Sequence, residues 1–313
     1  MNDESTTLNK DVRATDGNGS GRRPRGILAL DIDGTLTGPG GEIGERTRRA
    51  VHAAGESGWL VTIATGRSWV GTKPVADYLE LRLPLVTFNG ALIRDSITAE
   101  ILHYIPLSSE IVGSVVPALV DLGLQPLVIE DIRQGERLFT GPAEHDGEYT
   151  SAWLEHFRAV NTKIERLPYE QLARIGHAVR ITVVSDNSHV RQVDDLARGR
   201  EAEFRTLYYT ELDDETGIVQ ILHPSGTKAD ALRWLARQYG LTMADIVAVG
   251  DGVNDVEMLA EAGFGVAMGN ASERVQAEAE IVIGHHLDEG LAEFIEEHLL
   301  HVDGVPELNQ LVS

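Results

Sequence analysis

Residues 26–37, GILALDIDGTLT, contain the pattern from which the rest of the chain is interpreted. The apolar run 27–30 has the composition of a short buried strand, and it ends directly at Asp31. Asp31 and Asp33 lie two residues apart, so in a continuing strand both side chains would face the same way. Two carboxylates that close repel each other unless a cation or a proton separates them. This stretch therefore predicts a strand that ends in a charged site.

Apolar runs alternate with helical patterns both after this stretch and near the C-terminus. Alternation of this kind is typical of βαβ units, in which helices cover a parallel sheet. The predicted strands are 27–30, 59–64, 85–88, 246–249 and 264–267, and the predicted helices are 42–57, about 227–239 and 256–262.

The segment between about residues 93 and 222 has a different pattern. Strand candidates follow one another across turns at 133–136 and 213–217, which indicates antiparallel pairing. The predicted strands there are 101–105, 126–132, 137–140, 178–185, 204–210 and 218–222, with helices near 109–122, 149–160 and 189–197. We therefore predict a Rossmann-like parallel α/β core with an inserted α+β domain. The predicted bounds are a disordered tail at 1–25, a core of 26–91 and 223–313, and an insert of 92–222.

Composition limits the classes of function that are open to the chain. Its 313 residues suggest about two domains, since one domain usually takes roughly 150 residues. The formal charge of -22 disfavours nucleic acid as a partner, whereas a small anionic substrate can bind beside a cation. The absence of cysteine excludes disulfides, zinc–thiolate sites and a thiol nucleophile.

No segment of the sequence has the pattern of a transmembrane helix or of an export signal. The first 25 residues are polar and lack the apolar region of a secretory signal, and no run approaches about 18 apolar residues. Only the short run 27–30 follows Arg22 and Arg23 before Asp31, which argues against a twin-arginine signal. We therefore expect a cytoplasmic protein with no membrane partner.

Five predicted strands of the core end in polar or glycine-containing clusters. The clusters are 31–35, 65–67, 89–90, 250–255 and 269–270. Ligands bind outside the carboxyl ends of the strands in an open parallel sheet, so these clusters should converge. A lone Asp after a strand is more often a turn residue or a helix cap, but carboxylates at several strand ends favour an active site. Carboxylate oxygens without cysteine suit magnesium better than zinc or copper.

At these clusters the chain resembles the haloacid-dehalogenase superfamily. DIDGTLT at 31–37 matches its nucleophile motif, ATGR at 64–67 looks like the second motif, and GDGVND at 250–255 matches the fourth. Lys228 stands where the third motif is expected. NGA at 89–91 and AMGNA at 267–271 are similar to signatures of the Cof-type subfamily, which carries a type IIB α/β cap at the place of the predicted insert.

The resemblance implies a nucleophile, a general acid/base and a metal site. Asp31 would attack phosphorus and form an aspartyl-phosphate, and Asp33 would protonate the leaving alkoxide and later deprotonate water. Mg²⁺ would be held by the Asp31 carboxylate, the Asp33 carbonyl and Asp251, with Asp255 completing the acidic set.

The remaining motif residues would bind the phosphoryl group and the substrate. Thr65, Lys228 and the Gly34 amide would hold the phosphoryl oxygens as charge redistributes. Substrate contacts would come from Gly66, Arg67, Asn89 and Asn254. Two alternatives stay open, since Arg67 could be a structural ion-pair partner and Asn89 only a turn residue. Adjacent His285 and His286 are interpreted as solvated loop residues.

The sequence thus predicts a magnesium-dependent phosphatase acting on a small phosphorylated metabolite, with sugar phosphates as the default. The main alternative is a phosphotransferase or phosphomutase, which would pass the phosphoryl group to a sugar hydroxyl instead of water. A sugar-phosphate-binding regulator on an inactive scaffold is disfavoured, because every catalytic residue type is present. The pattern identifies no individual substrate, and it leaves monomer and homodimer open.

Overall fold

The computed structural model describes residues 23–38, 40–131, 135–159, 162–210, 215–302 and 304–306. Its strands are β1 Gly26–Leu30, β2 Trp59–Ile63, β3 Leu85–Thr87, β4 Leu92–Arg94, β5 Ile101–Tyr104, β6 Leu127–Glu130, β7 Arg137–Thr140, β8 Lys163–Arg166, β9 Arg180–Asp186, β10 Arg205–Thr210, β11 Thr216–Leu222, β12 Ile246–Gly250, β13 Phe264–Ala267 and β14 Ile281–Val282. Its α-helices are α1 Glu45–Glu56, α2 Trp69–Tyr78, α3 Ser109–Asp121, α4 Glu148–Ala159, α5 Tyr169–Leu172, α6 Asn187–Val190, α7 Val193–Ala197, α8 Lys228–Gln238, α9 Val256–Glu261, α10 Glu273–Gln276 and α11 Gly290–Phe294.

Short 3₁₀ turns and one π-helical turn complete the described secondary structure. They are Phe88–Gly90, Ala143–His145, Met243–Asp245 and His286–Asp288, and the π-helical turn Ile295–Leu299. No helix in the described part of the chain is both long enough and apolar enough to cross a membrane.

The described chain forms two compact units. The first comprises Tyr104–Gly226, and the second comprises the described residues up to His103 together with those from Thr227 onward. The predicted insert of 92–222 differs at its first boundary, because β4 pairs antiparallel with β3 and β5 continues that sheet. Residues 92–103 therefore belong with the core. Most of the predicted tail, residues 1–22, lies outside the described residues.

The core unit is built on a parallel sheet in the order β14-β13-β12-β1-β2. Alternate residues of the central strand β1 point to opposite faces, where Ile27 joins one hydrophobic cluster and Leu28 the other. Helices α8 and α9 contribute to the first cluster, and α1 and α11 contribute to the second. Because both faces are covered, β1 is apolar throughout, which confirms the predicted parallel α/β core.

The inserted unit contains a mixed sheet in the order β10-β11-β9-β6-β7-β8. Its neighbours pair antiparallel except β7 with β8, so the predicted antiparallel pairing of β6 with β7 and of β10 with β11 is confirmed. The turns predicted within these two pairs fall partly on residues 132–134 and 211–214, which lie outside the described residues.

The observed secondary structure differs from the predicted one at several elements, of which two are instructive. The single helix predicted at 189–197 is two short helices, α6 and α7, and the first begins after Asp186, whose side chain accepts from the His189 amide. Helix α2 was not predicted, because Gly71 and Pro74 interrupt its pattern. Pro74 is the sixth residue of this ten-residue helix, so the helix lacks the hydrogen bond that an amide there would donate to the Val70 carbonyl.

Candidate active site

A buried ion-pair cluster lies where β1 ends and α8 begins. The Asp31 amide, directly after β1, donates to the Val249 carbonyl (3.0 Å) on the neighbouring strand β12. The Lys228 ammonium donates to Asp31 Oδ1 (2.6 Å) and to Asp255 Oδ1 (2.5 Å). All three side chains are at most 8% exposed, so water does not screen these contacts appreciably. The structure thus brings together three residues that the sequence separates by up to 224 positions.

The turn after β12 is held in shape by Asp255. Its Oδ2 accepts from the amides of Asp251 (3.0 Å) and Gly252 (2.8 Å), while its Oδ1 contacts Lys228. Gly250 allows this approach, because a Cβ at that position would lie 2.5 Å from the Asp255 Cγ. Both carboxylate oxygens of Asp255 are therefore engaged. Asp255 thus links Lys228 to the turn that carries Asp251.

Asp251 is bound through both of its carboxylate oxygens. Oδ1 accepts from the Thr35 hydroxyl (3.2 Å), and Oδ2 accepts from Nδ2 of Asn270 (2.9 Å). Gly34 lies so close that a Cβ there would be 2.1 Å from Asp251 Oδ2, and its φ of +77° suits glycine. The glycine of the DIDGTLT stretch is thus required by the approach of Asp251.

The acidic cluster has the chemistry of a divalent-cation site. Oxygens of Asp31, Asp251 and Asp255 lie within 4.8 Å of one another. Three carboxylates against the one ammonium of Lys228 leave two negative charges uncompensated. Burial raises the pKa of Asp251 to about 6, and it raises the pKa of Asp31 despite the opposing charge of Lys228. A hard divalent cation would balance this charge, and the all-oxygen donor set fits one.

Asp33 lies beyond the end of β1, so the continuing strand on which it was expected to face the same way as Asp31 is not formed. Strand β1 ends at Leu30, and the chain then turns, so that the Asp33 side chain is 63% exposed. Arg67 donates from Nε to Asp33 Oδ2 (2.8 Å) and from Nη2 to Oδ1, which forms a bidentate ion pair. The alternative in which Arg67 is an ion-pair partner therefore describes its observed contact. No described amide donates to the Asp33 carbonyl, which is the oxygen proposed for the metal.

The Gly34 amide differs from its expected role as a phosphoryl donor. It already donates to the Thr37 carbonyl (3.0 Å) and closes the turn after Asp33. Thr65 is 1% exposed, and its hydroxyl accepts from the Arg67 amide (3.2 Å). The hydroxyl proton of Thr65 is therefore still available as a donor.

Asn254, Asn89, Gly66 and Thr65 lie together in the core unit. Asn254 Nδ2 donates to Asn89 Oδ1 (2.8 Å), and the Asn89 amide donates to the Thr65 carbonyl (2.9 Å). A Cβ on Gly66 would lie 3.0 Å from Asn89 Oδ1. Asn89 has a φ of 56°, so it is a turn residue as well as a hydrogen-bond partner of Asn254.

Three residues near the site were not selected from the sequence or were interpreted differently. Thr35 and Asn270 both bind Asp251, and the signals for them were membership of clusters that follow strands and of the stretches DIDGTLT and AMGNA. His286 was expected to be solvated, yet both of its ring nitrogens are buried and lack a hydrogen-bond partner among the described residues.

Comparison with known proteins assigns the family. A family model described as haloacid dehalogenase-like hydrolase matches residues 28–295. The HMP-PP phosphatase of Cronobacter sakazakii is 31% identical over 286 residues, which cover 89% of this chain and 98% of that protein. The pyridoxal phosphate phosphatase YbhA of Escherichia coli is 27% identical over 274 residues, which cover 88% of this chain and 98% of that protein.

Solved structures support the fold. A haloacid dehalogenase-like hydrolase from Bacteroides thetaiotaomicron superposes with a TM-score of 0.71 at 24% identity, covering 87% of this chain and 98% of that one. A structure described as a subclass IIB sugar phosphatase gives a TM-score of 0.72 at 21% identity, covering 88% and 99%. The sequence resemblance is thereby confirmed, and the chain belongs to the haloacid dehalogenase-like hydrolases, a family of enzymes in which its named relatives are phosphatases.

Proposed function

We propose that this protein is a magnesium-dependent phosphatase that hydrolyses a small phosphorylated metabolite, with sugar phosphates as the first class to test. The observation that carries the proposal is the contact of Lys228 with Asp31 and Asp255 beside Asp251. A buried carboxylate next to both an ammonium and a set of oxygen ligands that fits a cation is arranged to meet an incoming anion. The named phosphatase relatives point to the same reaction class.

The proposed reaction has two displacements at phosphorus. A carboxylate oxygen of Asp31 attacks phosphorus, the bond from phosphorus to the substrate oxygen breaks, and Asp33 gives its proton to that oxygen. Water then attacks the aspartyl-phosphate, Asp33 takes a proton from it, and the bond to Asp31 breaks to release phosphate. Lys228 donates to Oδ1 of Asp31, whereas no described residue donates to Oδ2. Oδ2 is therefore our candidate for the attacking atom.

Asp33 must be able to leave its present partner during this cycle. Arg67 engages both Asp33 oxygens, so the pair has to open, or at least loosen, when Asp33 exchanges a proton. Arg67 is 31% exposed, and a guanidinium released from Asp33 would be free to bind an anionic or hydroxyl group of the substrate. This would combine the two roles considered for Arg67.

The phosphoryl oxygens are proposed to be held by Lys228 and Thr65. Lys228 has three N–H donors, of which two serve Asp31 and Asp255, so a third remains for a phosphoryl oxygen. Asn254 is proposed as a substrate contact because only one N–H of its carboxamide serves Asn89 Oδ1, and Asn89 is proposed with it as the residue that holds Asn254. Mg²⁺ would be held by Asp31, Asp251 and the Asp33 carbonyl, where it would neutralise charge on the phosphoryl group.

The test is phosphate release from a panel of phosphorylated metabolites, without any acceptor sugar, by protein first stripped of metal and then given Mg²⁺. We expect turnover that requires Mg²⁺, and we expect Ca²⁺ to inhibit because its longer bonds misplace phosphorus relative to Asp31. Asp31→Asn should lower kcat by at least about a thousandfold, since it removes the covalent nucleophile.

Three results would count against the proposal. Full activity after removal of all metal would exclude the cation site. More than about a tenth of wild-type kcat in Asp31→Asn would exclude the nucleophile. Phosphate transfer that appears only when an acceptor sugar is added would favour the phosphotransferase alternative.

A further inference from the structure

Asn270 makes three hydrogen bonds that join separate segments around the acidic cluster. Its Nδ2 donates to Asp251 Oδ2 (2.9 Å) and to the Gly34 carbonyl (2.8 Å), and its Oδ1 accepts from the His286 amide (3.1 Å). Asn270 belongs to none of the residues assigned above to nucleophile, acid/base, metal or substrate.

We propose that Asn270 is a positioning residue that fixes the Asp251 carboxylate and the turn after Asp33 in the geometry required for cation binding. The proposal rests on the proposed function, because it assigns to Asn270 the orientation of a metal ligand of that site.

The polarity of the three partners requires a carboxamide in one orientation. The Gly34 carbonyl and the Asp251 carboxylate only accept, whereas the His286 amide only donates. A carboxamide satisfies all three when its NH₂ faces the two oxygens and its oxygen faces the amide. A flipped amide, or a carboxylate of the same shape, would place an acceptor against two acceptors. The site therefore selects asparagine over aspartate on chemical grounds.

The backbone that carries Asn270 is held by close approaches at glycines. The Gly269 amide donates to the Gly284 carbonyl (3.3 Å), and a Cβ on Gly269 would lie 2.9 Å from the Ile283 carbonyl oxygen. A Cβ on Gly290 would lie 2.3 Å from the Gly284 carbonyl oxygen. The segment 284–290 is thereby packed against Asn270, which brings the His286 amide within reach of its side chain.

The consequence for Asp251 is restricted rotation of its carboxylate. Thr35 binds Oδ1, Asn270 binds Oδ2, and the backbone of Gly34 limits movement on the same side. Removal of the Asn270 donor would leave Asp251 Oδ2 free to rotate. It would also remove the hydrogen bond that holds the Gly34 carbonyl in the turn after Asp33. Groups that orient a metal ligand typically contribute about 10- to 100-fold to metal affinity or activity when removed.

The experiment compares Asn270→Asp and Asn270→Ala with wild type by calorimetric titration of the metal-free protein with Mg²⁺, alongside steady-state kinetics. We expect the Kd for Mg²⁺ to rise about tenfold in the alanine variant and further in the aspartate variant. At saturating Mg²⁺, kcat should fall while KM stays within about twofold, because the phosphoryl donors Lys228 and Thr65 are untouched.

Gln276→Ala is the matched control, since it removes a carboxamide that donates to the Ala271 carbonyl (2.9 Å) without reaching the carboxylates. It should leave the Kd for Mg²⁺ unchanged. If Asn270→Ala does not fold, Asn270→Ser takes its place in the same titration.

A wild-type Kd for Mg²⁺ in Asn270→Asp and in the alanine or serine variant would overturn the positioning role, even if their melting temperatures fall. A rise in KM with an unchanged kcat would also overturn it. Failure of the proposed function is distinguishable, because a wild-type protein that binds Mg²⁺ but releases no phosphate would still report the effect of Asn270 on metal affinity.

Discussion

Lys228 shares its ammonium between two carboxylates that are almost completely removed from water. Breaking a buried ion pair at one partner leaves an uncompensated charge and typically costs about 3–5 kcal/mol. The charge of Lys228 is therefore part of the stability of the fold as well as of the proposed chemistry.

We predict that Lys228→Met lowers the free energy of unfolding of the metal-free protein by about 3 kcal/mol at pH 8 and by less at pH 5. Burial already raises the pKa of Asp31 in the folded state, and loss of the ammonium raises it further. A folded-state pKa above the unfolded value means that the folded protein holds the extra proton, so stability falls as pH rises from about 4. Urea denaturation at both pH values measures this, and a loss independent of pH would contradict it.

His103 is a second residue whose charge state is set by burial. Its ring stacks on Trp234 with centroids 4.9 Å apart, and its buried Nδ1 has no hydrogen-bond partner among the described residues. Burial lowers the pKa of His103 to about 4. The unfolded chain, with an ordinary pKa near 6.5, therefore takes up a proton at a pH where the folded protein does not.

We predict that His103→Phe reduces the acid sensitivity of the protein between pH 6.5 and 4. Protonation of this histidine in the unfolded chain should lower the free energy of unfolding of wild type by about 2 kcal/mol as pH falls across that window, after allowance for the partial solvation of the ring. Phenylalanine keeps the stacking on Trp234 but does not titrate. Unfolding free energies measured at half-unit steps of pH should show a shallower slope for the variant. Equal slopes for wild type and variant would contradict the prediction, because they would show that His103 is protonated equally well in the folded and unfolded states.

At the scale of elements, α8 starts where the turn after β3 comes into contact with it. Gly90 has a φ of +105°, and a Cβ there would lie 2.0 Å from the Thr227 carbonyl oxygen. Thr227 is the N-cap of α8, with its side chain accepting from the Asp230 amide (2.9 Å). Lys228 follows directly, so the position of the turn and the position of the ammonium are linked.

We predict that Gly90→Ala lowers the free energy of unfolding by about 3 kcal/mol and lowers kcat, because α8 must shift to admit the methyl group. Gly240→Ala is the control, since Gly240 has a φ of +69° at the other end of α8 but nothing within 4 Å of its Cβ position. Gly240→Ala should lower the free energy of unfolding only by the strain of an alanine in the left-handed backbone conformation, about 1 kcal/mol. Equal losses in thermal or urea unfolding would show that the contact with Thr227 is unimportant.

At the scale of the whole molecule, the inserted unit is our candidate for substrate selection, because the proposed catalytic groups all belong to the other unit. Thr182 on β9 is 1% exposed, and its hydroxyl lacks a hydrogen-bond partner among the described residues. A buried unpartnered hydroxyl usually lowers stability, so it calls for an explanation such as ligand recognition.

We predict that Thr182→Val raises the free energy of unfolding by about 1 kcal/mol and changes the ranking of substrates in a phosphorylated-metabolite panel. Thr62→Val is the control, because the buried Thr62 hydroxyl donates to the Pro84 carbonyl (2.6 Å) and its loss should be destabilising. An unchanged ranking of kcat/KM across the panel would remove Thr182 from substrate selection.

The parallel core was predictable because its signal is local. The apolar runs at 27–30 and 246–249 are fully buried strands, and the cluster of Asp31, Lys228 and Asp251 follows from their strand and helix ends. The first boundary of the insert was not predictable, because residues 92–103 join the core by pairing with β3. Strand pairing depends on a partner elsewhere in the chain, so hydrophobic periodicity cannot report it.

The sequence by itself determined the family, the parallel sheet and the carboxylates of the site, because periodicity and motif spacing are properties of neighbouring residues. Only the tertiary structure decided that Asp33 pairs with Arg67, and that the Gly34 amide donates to the Thr37 carbonyl. It also decided that Asn270 binds Asp251 and Gly34 across separations of 19 and 236 residues. These contacts depend on the path of the chain after each strand and on packing between distant segments, which no local pattern encodes.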